Sequence, residues 1–179
     1  MKFQFVFKIV FLLGILLMQP VLALTWWEMT PDEVRERINQ RIMAIDAPTS
    51  EVQSVKEQII ERNARQTPIR IYTPHNGEHL PIILLIHGGA WVAGNLETHD
   101  LLARYLCSEA QALVVSVGYL NSPEGKFPFP LEQCNDALNW IHIHASEFSA
   151  DPSKIAVIGD SAGGNMSAAL CLMAKDRAG

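Results

Sequence analysis

Ser161 lies in the pentapeptide Gly159-Asp160-Ser161-Ala162-Gly163, directly behind the apolar run Lys154-Ile155-Ala156-Val157-Ile158 and ahead of a small, apolar helix, Met166 to Ala174. A G-x-S-x-G turn between a strand and a helix forces its serine into a strained conformation and needs hydrogen side chains two residues either way. Such a serine presents its hydroxyl at a helix N-terminus, where the dipole favours developing negative charge. The matching chemistry is nucleophilic acyl transfer, in which a carbonyl oxygen becomes an oxyanion. A second motif fits that need: His87-Gly88-Gly89-Ala90-Trp91 also follows a buried strand. Backbone N–H groups aimed in advance at the oxyanion are worth roughly 3 to 4 kcal/mol per donor. Gly88, Gly89 and Ala162 are the expected donors, with His87 and Asp160 in supporting positions. A glycine turn behind one strand is ordinary chain reversal; two such motifs in this order point to a serine site.

A serine of this kind needs a base and an acid. The 18 residues after Ser161 contain one acid, Asp176, and no histidine. Upstream, His87 belongs to the glycine loop and is expected to hold it. His142 and His144 sit two apart on a predicted helix, about 200° around its axis, and so face apart. His75 and His79 flank a turn and His99 precedes a crossover helix; all three read as solvated loop residues. A serine without its base is a weak nucleophile, although an oxyanion hole and binding alone retain some catalysis. The expectation from these residues alone is a serine site that is weakly active or inactive. No metal site is expected, because no C-x-x-C or zinc-like spacing occurs.

The elements that position these residues follow from hydrophobic period. Pro81 to Ile86, Ala112 to Val117 and Lys154 to Ile158 are short, nearly continuous apolar runs, as expected of strands covered on both faces. Helical patterns separate them, with Leu101, Leu102, Tyr105 and Leu106 in one and Leu131, Cys134, Leu138 and Ile141 in the next. Ile69 and Ile71 alternate with polar neighbours as in a half-buried strand, and His75-Asn76-Gly77 marks a turn. The order predicts an α/β fold with a doubly wound, mostly parallel sheet and helices on both faces in residues 67–179. Before it, Thr30-Pro31-Asp32-Glu33 opens a helix with Val34, Ile38 and Ile42 on one stripe. Ser50 to Arg65, with Val52, Val55 and Ile59 at helical spacing, is expected to form a second helix, and both would lie on a surface.

Residues 1–23 differ in kind. Lys2 and Lys8 precede the apolar run Ile9 to Met18, and Val21-Leu22-Ala23 fits an A-x-A-like cleavage site, the layout of a signal peptide. The uninterrupted run is shorter than the ~20 residues a spanning helix needs. Export is therefore expected, with no stable membrane span after cleavage; a membrane anchor through this segment, with Trp26-Trp27 at the interface, is the alternative. The formal charge is −5, and removal of Lys2 and Lys8 makes it −7; neither value suits a nucleic-acid partner. Cys107, Cys134 and Cys171 fall one in each of three predicted helices and read as buried free thiols.

The pair of motifs, with Pro123-Glu124, Phe127-Pro128 and Asp151-Pro152-Ser153, resembles the hormone-sensitive-lipase-like branch of the α/β-hydrolases over about residues 68–179, in the subgroup with aspartate before the serine. The resemblance implies only the N-terminal half of the architecture in residues 67–179, with cap-like helices in residues 24–66, an oxyanion hole in the glycine loop and an acylated serine. It also implies carboxylesterase activity on small acyl esters without a cofactor, here in a truncated, weakly active or inactive copy whose sheet, without its later strands, should show an exposed edge. One departure stands out. Where the family usually shows Tyr-Arg-Leu-Ala-Pro-Glu this chain has Tyr119-Leu120-Asn121-Ser122-Pro123-Glu124, so the loop must pack differently. The His-Gly-Gly-x-Trp form also resembles arylformamidases, which cleave a formamide by the same acyl chemistry. A third reading is a non-catalytic module that pairs its edge strand with a partner or binds acyl ligands.

Overall fold

The computed structural model describes residues 28–178, and from Pro31 onward these form one compact unit. Helix α1 (Pro31–Met43) is followed by strands β1 (Ser54–Arg62), β2 (Arg65–Thr73) and β3 (Leu80–Ile86), then α2 (Asp100–Ala110), β4 (Leu113–Val117), α3 (Phe129–His144), β5 (Ala150–Gly159) and α4 (Ala162–Ala178). The five strands form one sheet in the order β1-β2-β4-β3-β5. Strands β4, β3 and β5 run parallel, and β2 pairs antiparallel with β4. The expected crossovers are present, and the apolar runs of β3 and β4 bury both of their faces. Ile82, Leu84 and Ile86 pack with Leu131, Cys134, Ile141, Met166 and Leu170 of α3 and α4 on one face. Ile83 and Leu85 pack with Ala103 and Cys107 of α2 on the other. Each fully buried aliphatic chain contributes about 1.5–3 kcal/mol, so this central strand is anchored from both faces.

Two expectations are corrected. Ser50 to Arg65 is not a helix: β1 pairs with β2 along its whole length, from Ser54 opposite Thr73 to Arg62 opposite Arg65. The helical spacing of Val52, Val55 and Ile59 is coincidental, and β-branched Val55, Ile59 and Ile60 suit a pleated strand. The reversal is a two-residue turn, Asn63-Ala64, with φ of 51° and 58°, the twist that a hairpin needs without the glycine that would have announced it. Lys56, Glu57, Glu61 and Arg62 leave this edge charged, which discourages further pairing. Cys171 is exposed, whereas Cys107 and Cys134 are buried thiols; burial pushes Cys107 up to about 11.

A third expectation is corrected at the opposite edge: β5, which includes the run Lys154 to Ile158 read as covered on both faces, has a single buried residue, Ala150. Ile158 at its other end and Leu172 on α4 are 37% and 66% exposed, because among the described residues β5 is an edge strand and this side of the sheet is thinly covered. The expected signal segment, residues 1–23, lies outside them. No helix among the described residues is long and apolar enough to cross a membrane.

The β1–β2 hairpin is anchored from below by α3. The Asp136 side chain, 1% exposed, accepts a 2.7 Å hydrogen bond from Arg65 Nε and one of 3.3 Å from Asn63 Nδ2. Glu132 is more exposed: it lies 3.8 Å from the same Arg65 and pairs with Arg177 at 2.6 Å. Asp136→Ala should therefore lower the unfolding free energy by about 3 kcal/mol, and Glu132→Ala by under about 1 kcal/mol, read as shifts in the urea midpoint. Equal shifts would show that the hairpin does not hang on Asp136.

Candidate functional site

The two glycine motifs meet because of register. Ile86, the last residue of β3, pairs in parallel with Gly159, the last of β5, so His87 and Asp160 leave adjacent strands at the same end. The turn that follows is tight. Ser161 has φ of 49°, the left-handed region that costs a non-glycine residue roughly 1–3 kcal/mol. A Cβ on Gly163 would run into the carbonyl oxygens of Ile86 and His87, so only glycine lets α4 begin against β3. Ser161 is exposed, while Ala162, the first residue of α4, is buried.

Asp160 joins the loops. Its Oδ1 accepts the Gly88 N–H at 2.8 Å and the His99 Nε2–H at 3.1 Å. Burial pushes the Asp160 carboxyl up, but the His99 hydrogen bond and charge and the Gly88 amide outweigh it, and the group stays below the usual carboxylate range. His99 is thus no solvated loop residue: it is 5% exposed, with Nδ1 at 2.9 Å from Thr98 Oγ1. Its position before α2 turns the ring inward, and no period in the sequence marks that. Gly88, expected as an oxyanion donor, is likewise engaged, since its N–H belongs to Asp160. The N–H groups of Gly89, Ala90 and Ala162 donate to no partner among the described residues.

His87 holds the loop, as its place in the motif suggests. Its ring is stacked on Tyr119 with centroids 4.0 Å apart, and Tyr119 donates to the His87 carbonyl at 2.8 Å. Nδ1 lies 2.9 Å from the Gly88 carbonyl, which can only accept, so this nitrogen carries the proton and buried Nε2 has no partner among the described residues. Desolvation lowers His87 from 6.5 to about 4, against the Gly88 hydrogen bond. The ring is neutral at physiological pH and acts as a packing block rather than a base.

The other imidazoles lie elsewhere. His142 is exposed and meets the Pro152 carbonyl, His144 stacks on Trp140 at 4.5 Å, and His75 and His79 are exposed as expected. Among the described residues no histidine nitrogen is hydrogen-bonded to Ser161, and no cluster of three His, Cys, Asp or Glu side chains forms a metal site. A cavity of about 1160 Å³ opens between α1, the β1–β2 hairpin and the loop after β4, lined by Arg35, Asn39, Arg70, Asn121 and Gln133 among others. Ser161 does not line it.

Comparison with known proteins agrees with this geometry. A family described as alpha/beta hydrolase fold matches residues 83–179. The carboxylic ester hydrolase LipN of Mycobacterium tuberculosis is 40% identical over 149 residues, 82% of this chain and 40% of that protein. An arylesterase of Saccharolobus solfataricus is 37% identical over 144 residues, covering 80% of this chain and 47% of that one. Among solved structures, a Pyrobaculum calidifontis esterase superposes with a TM-score of 0.75 at 36% identity, over 84% of this chain and 50% of that one. The chain thus spans about half the length of the relatives it matches.

The shifts of His87 and Asp160 act on stability with one sign. Unfolded, His87 binds a proton near pH 6.5 and, folded, only near about pH 4, so its contribution is complete above pH 6.5 and is lost as pH falls to 4. The difference is worth roughly 3 kcal/mol. Asp160, depressed when folded, adds a further loss below the ordinary carboxylate range of about 4. Urea midpoints measured from pH 7 to pH 4.5 should fall steeply in the wild type and more gently in His87→Gln. Equal slopes would show that His87 is not the titrating group.

Proposed function

Because this chain belongs to the alpha/beta hydrolase fold family, in its hormone-sensitive-lipase-like branch, we propose that it is a carboxylic ester hydrolase working through an acyl-enzyme on Ser161. The observation that carries the reading is the Ser161 turn itself: a serine at φ 49° on a strand-to-helix corner, joined to the glycine loop through Asp160 and Gly88. In this mechanism Ser161 Oγ attacks the ester carbonyl carbon, its proton passes to a base, and the carbonyl oxygen takes the negative charge. Collapse of the tetrahedral species releases the alcohol, and water then frees the acid from the serine. Gly89, Ala90 and Ala162 supply the oxyanion's amide donors, because Gly88 is committed to Asp160. The aspartate is a structural tie, and the substrate is a small acyl ester. The names of the relatives, a carboxylic ester hydrolase and an arylesterase, favour an ester over a formamide.

No imidazole is hydrogen-bonded to Ser161 among the described residues, so residues 1–179 alone should react slowly. A fluorophosphonate probe should label Ser161 alone, at a rate at least roughly 10³-fold below that of a triad-bearing relative, and Ser161→Ala should not label. Labelling that survives Ser161→Ala would sink the assignment of the nucleophile. Rapid stoichiometric labelling would show that a base is present after all.

We also propose export, on the basis of Lys2 and Lys8 ahead of Ile9 to Met18 and the Val21-Leu22-Ala23 site. Mass spectrometry of the protein from its native cells should find an N-terminus at Leu24. Recovery of an intact residue 1–23 segment in the membrane fraction would favour the anchor instead.

A further inference from the structure

Helix α1 contains no fully buried residue, and Val34, Ile38 and Ile42 are only half-buried. Polar side chains, Arg35 and Asn39 among them, tie it to the loop after β3. Arg35 and Asn39 are four residues apart and share a face. Arg35 Nε donates to the Val92 carbonyl at 2.9 Å, and one terminal nitrogen donates to the Ser122 carbonyl at 3.0 Å and to Glu124 Oε2 at 2.7 Å. Its other terminal nitrogen meets Asp32 on its own helix at 3.0 Å. Asn39 Oδ1 accepts the Gly94 N–H at 2.8 Å. From the far side Asn121 Nδ2 donates to the Gly94 carbonyl at 2.9 Å and the Ser122 N–H to the Trp91 carbonyl at 2.7 Å.

The loop so gripped needs holding. Ala90 and Trp91 both have left-handed φ, 54° and 60°, a strain that persists only where the surroundings over-determine it. Movement at its far end is passed back to its start. The Val92 and Ala93 amides donate to the Gly89 carbonyl at 3.1 and 2.8 Å, and a Cβ on Gly94 would strike the Gly88 carbonyl and the His87 ring. Resting on the ester-hydrolase reading, we infer that Arg35 and Asn39 are positioning residues for the oxyanion donors. They strap the Gly88–Gly94 loop across its strained corner and hold the amides of Gly89 and Ala90 in place. Arg35 also fastens the loop after β4, where Leu120 stands in the position at which the resembled family carries arginine. Neither residue touches substrate.

The test pairs hydrogen exchange with turnover, on the full chain. In Arg35→Ala and Asn39→Leu, exchange in peptides covering residues 88–95 should quicken roughly tenfold, the scale of one lost backbone hydrogen bond, while β3 and β4 peptides stay unchanged. Asn39→Asp keeps the acceptor and should restore protection of Gly94. Arg35→Lys, whose ammonium lacks the planar fork, should not rescue. Asp32→Ala, which removes only the partner on the helix itself, should leave the loop as it is. The Ser161-dependent hydrolysis of p-nitrophenyl acetate, wild type less Ser161→Ala, should lose roughly 10- to 100-fold in kcat in Arg35→Ala with KM nearly constant. Unchanged exchange in residues 88–95 overturns the inference, as does faster exchange with unchanged kcat. If the wild type is no faster than Ser161→Ala, the esterase reading falls and exchange with its Asn39→Asp rescue still decides the strap.

Discussion

Everything at the candidate site depends on the parallel pairing that sets Ile86 level with Gly159. Two strands that end together release two loops together, and the Gly88 N–H then reaches the Asp160 carboxylate at 2.8 Å. A slip of one residue would turn every side chain of one strand to the wrong face. Burial on both sides of β3 forbids that slip. The apolar runs of the central strands are therefore the source of the site's geometry, although none of their side chains belongs to it.

The same tie explains why strain is tolerated where chemistry is expected. Left-handed φ values at Ala90, Trp91 and Ser161 each oppose folding. They are offset by contacts that no relaxed backbone would make: α4 seated against β3 at Gly163, the Gly89 carbonyl receiving two amides, and the Asp160 bridge. His87 adds a rigid floor. It lies flat on Tyr119, whose hydroxyl holds the backbone of the same histidine, and so the loop is clamped through side chain and main chain at once. An imidazole buried this deeply is held neutral, which removes it from proton transfer and makes it a structural part.

Local motifs were legible in the sequence because their physics is local. A continuous apolar run, a glycine pair behind it and a capped amphipathic stretch each carry their own period, and β3, β4, β5, α1 and the Ser161 turn follow. What was not legible depends on partners distant in the chain. Val52, Val55 and Ile59 satisfy a helical template and a strand equally, and only pairing with β2 decides between them. His99 is polar and precedes a helix, yet its burial is set by Asp160, sixty-one positions further on. Gly88 belongs to the glycine motif, but whether its amide is free depends on that same carboxylate.

The loop after β4 shows how one departure from a family pattern can be absorbed. Leu120 there is 42% exposed and its backbone N–H is held by Gln133 at 2.8 Å. The positive charge in this neighbourhood comes instead from Arg35, which binds the Ser122 carbonyl and Glu124 while also reaching Val92. A guanidinium with a planar fork of donors can serve three acceptors on two loops at once. Supplied from α1 rather than from the loop itself, it makes the order of the glycine loop depend on the docking of a helix that apolar burial alone does not hold. The N-terminal helix is thereby coupled to the site by hydrogen bonds, and disturbing it should disturb the loop before it disturbs the sheet.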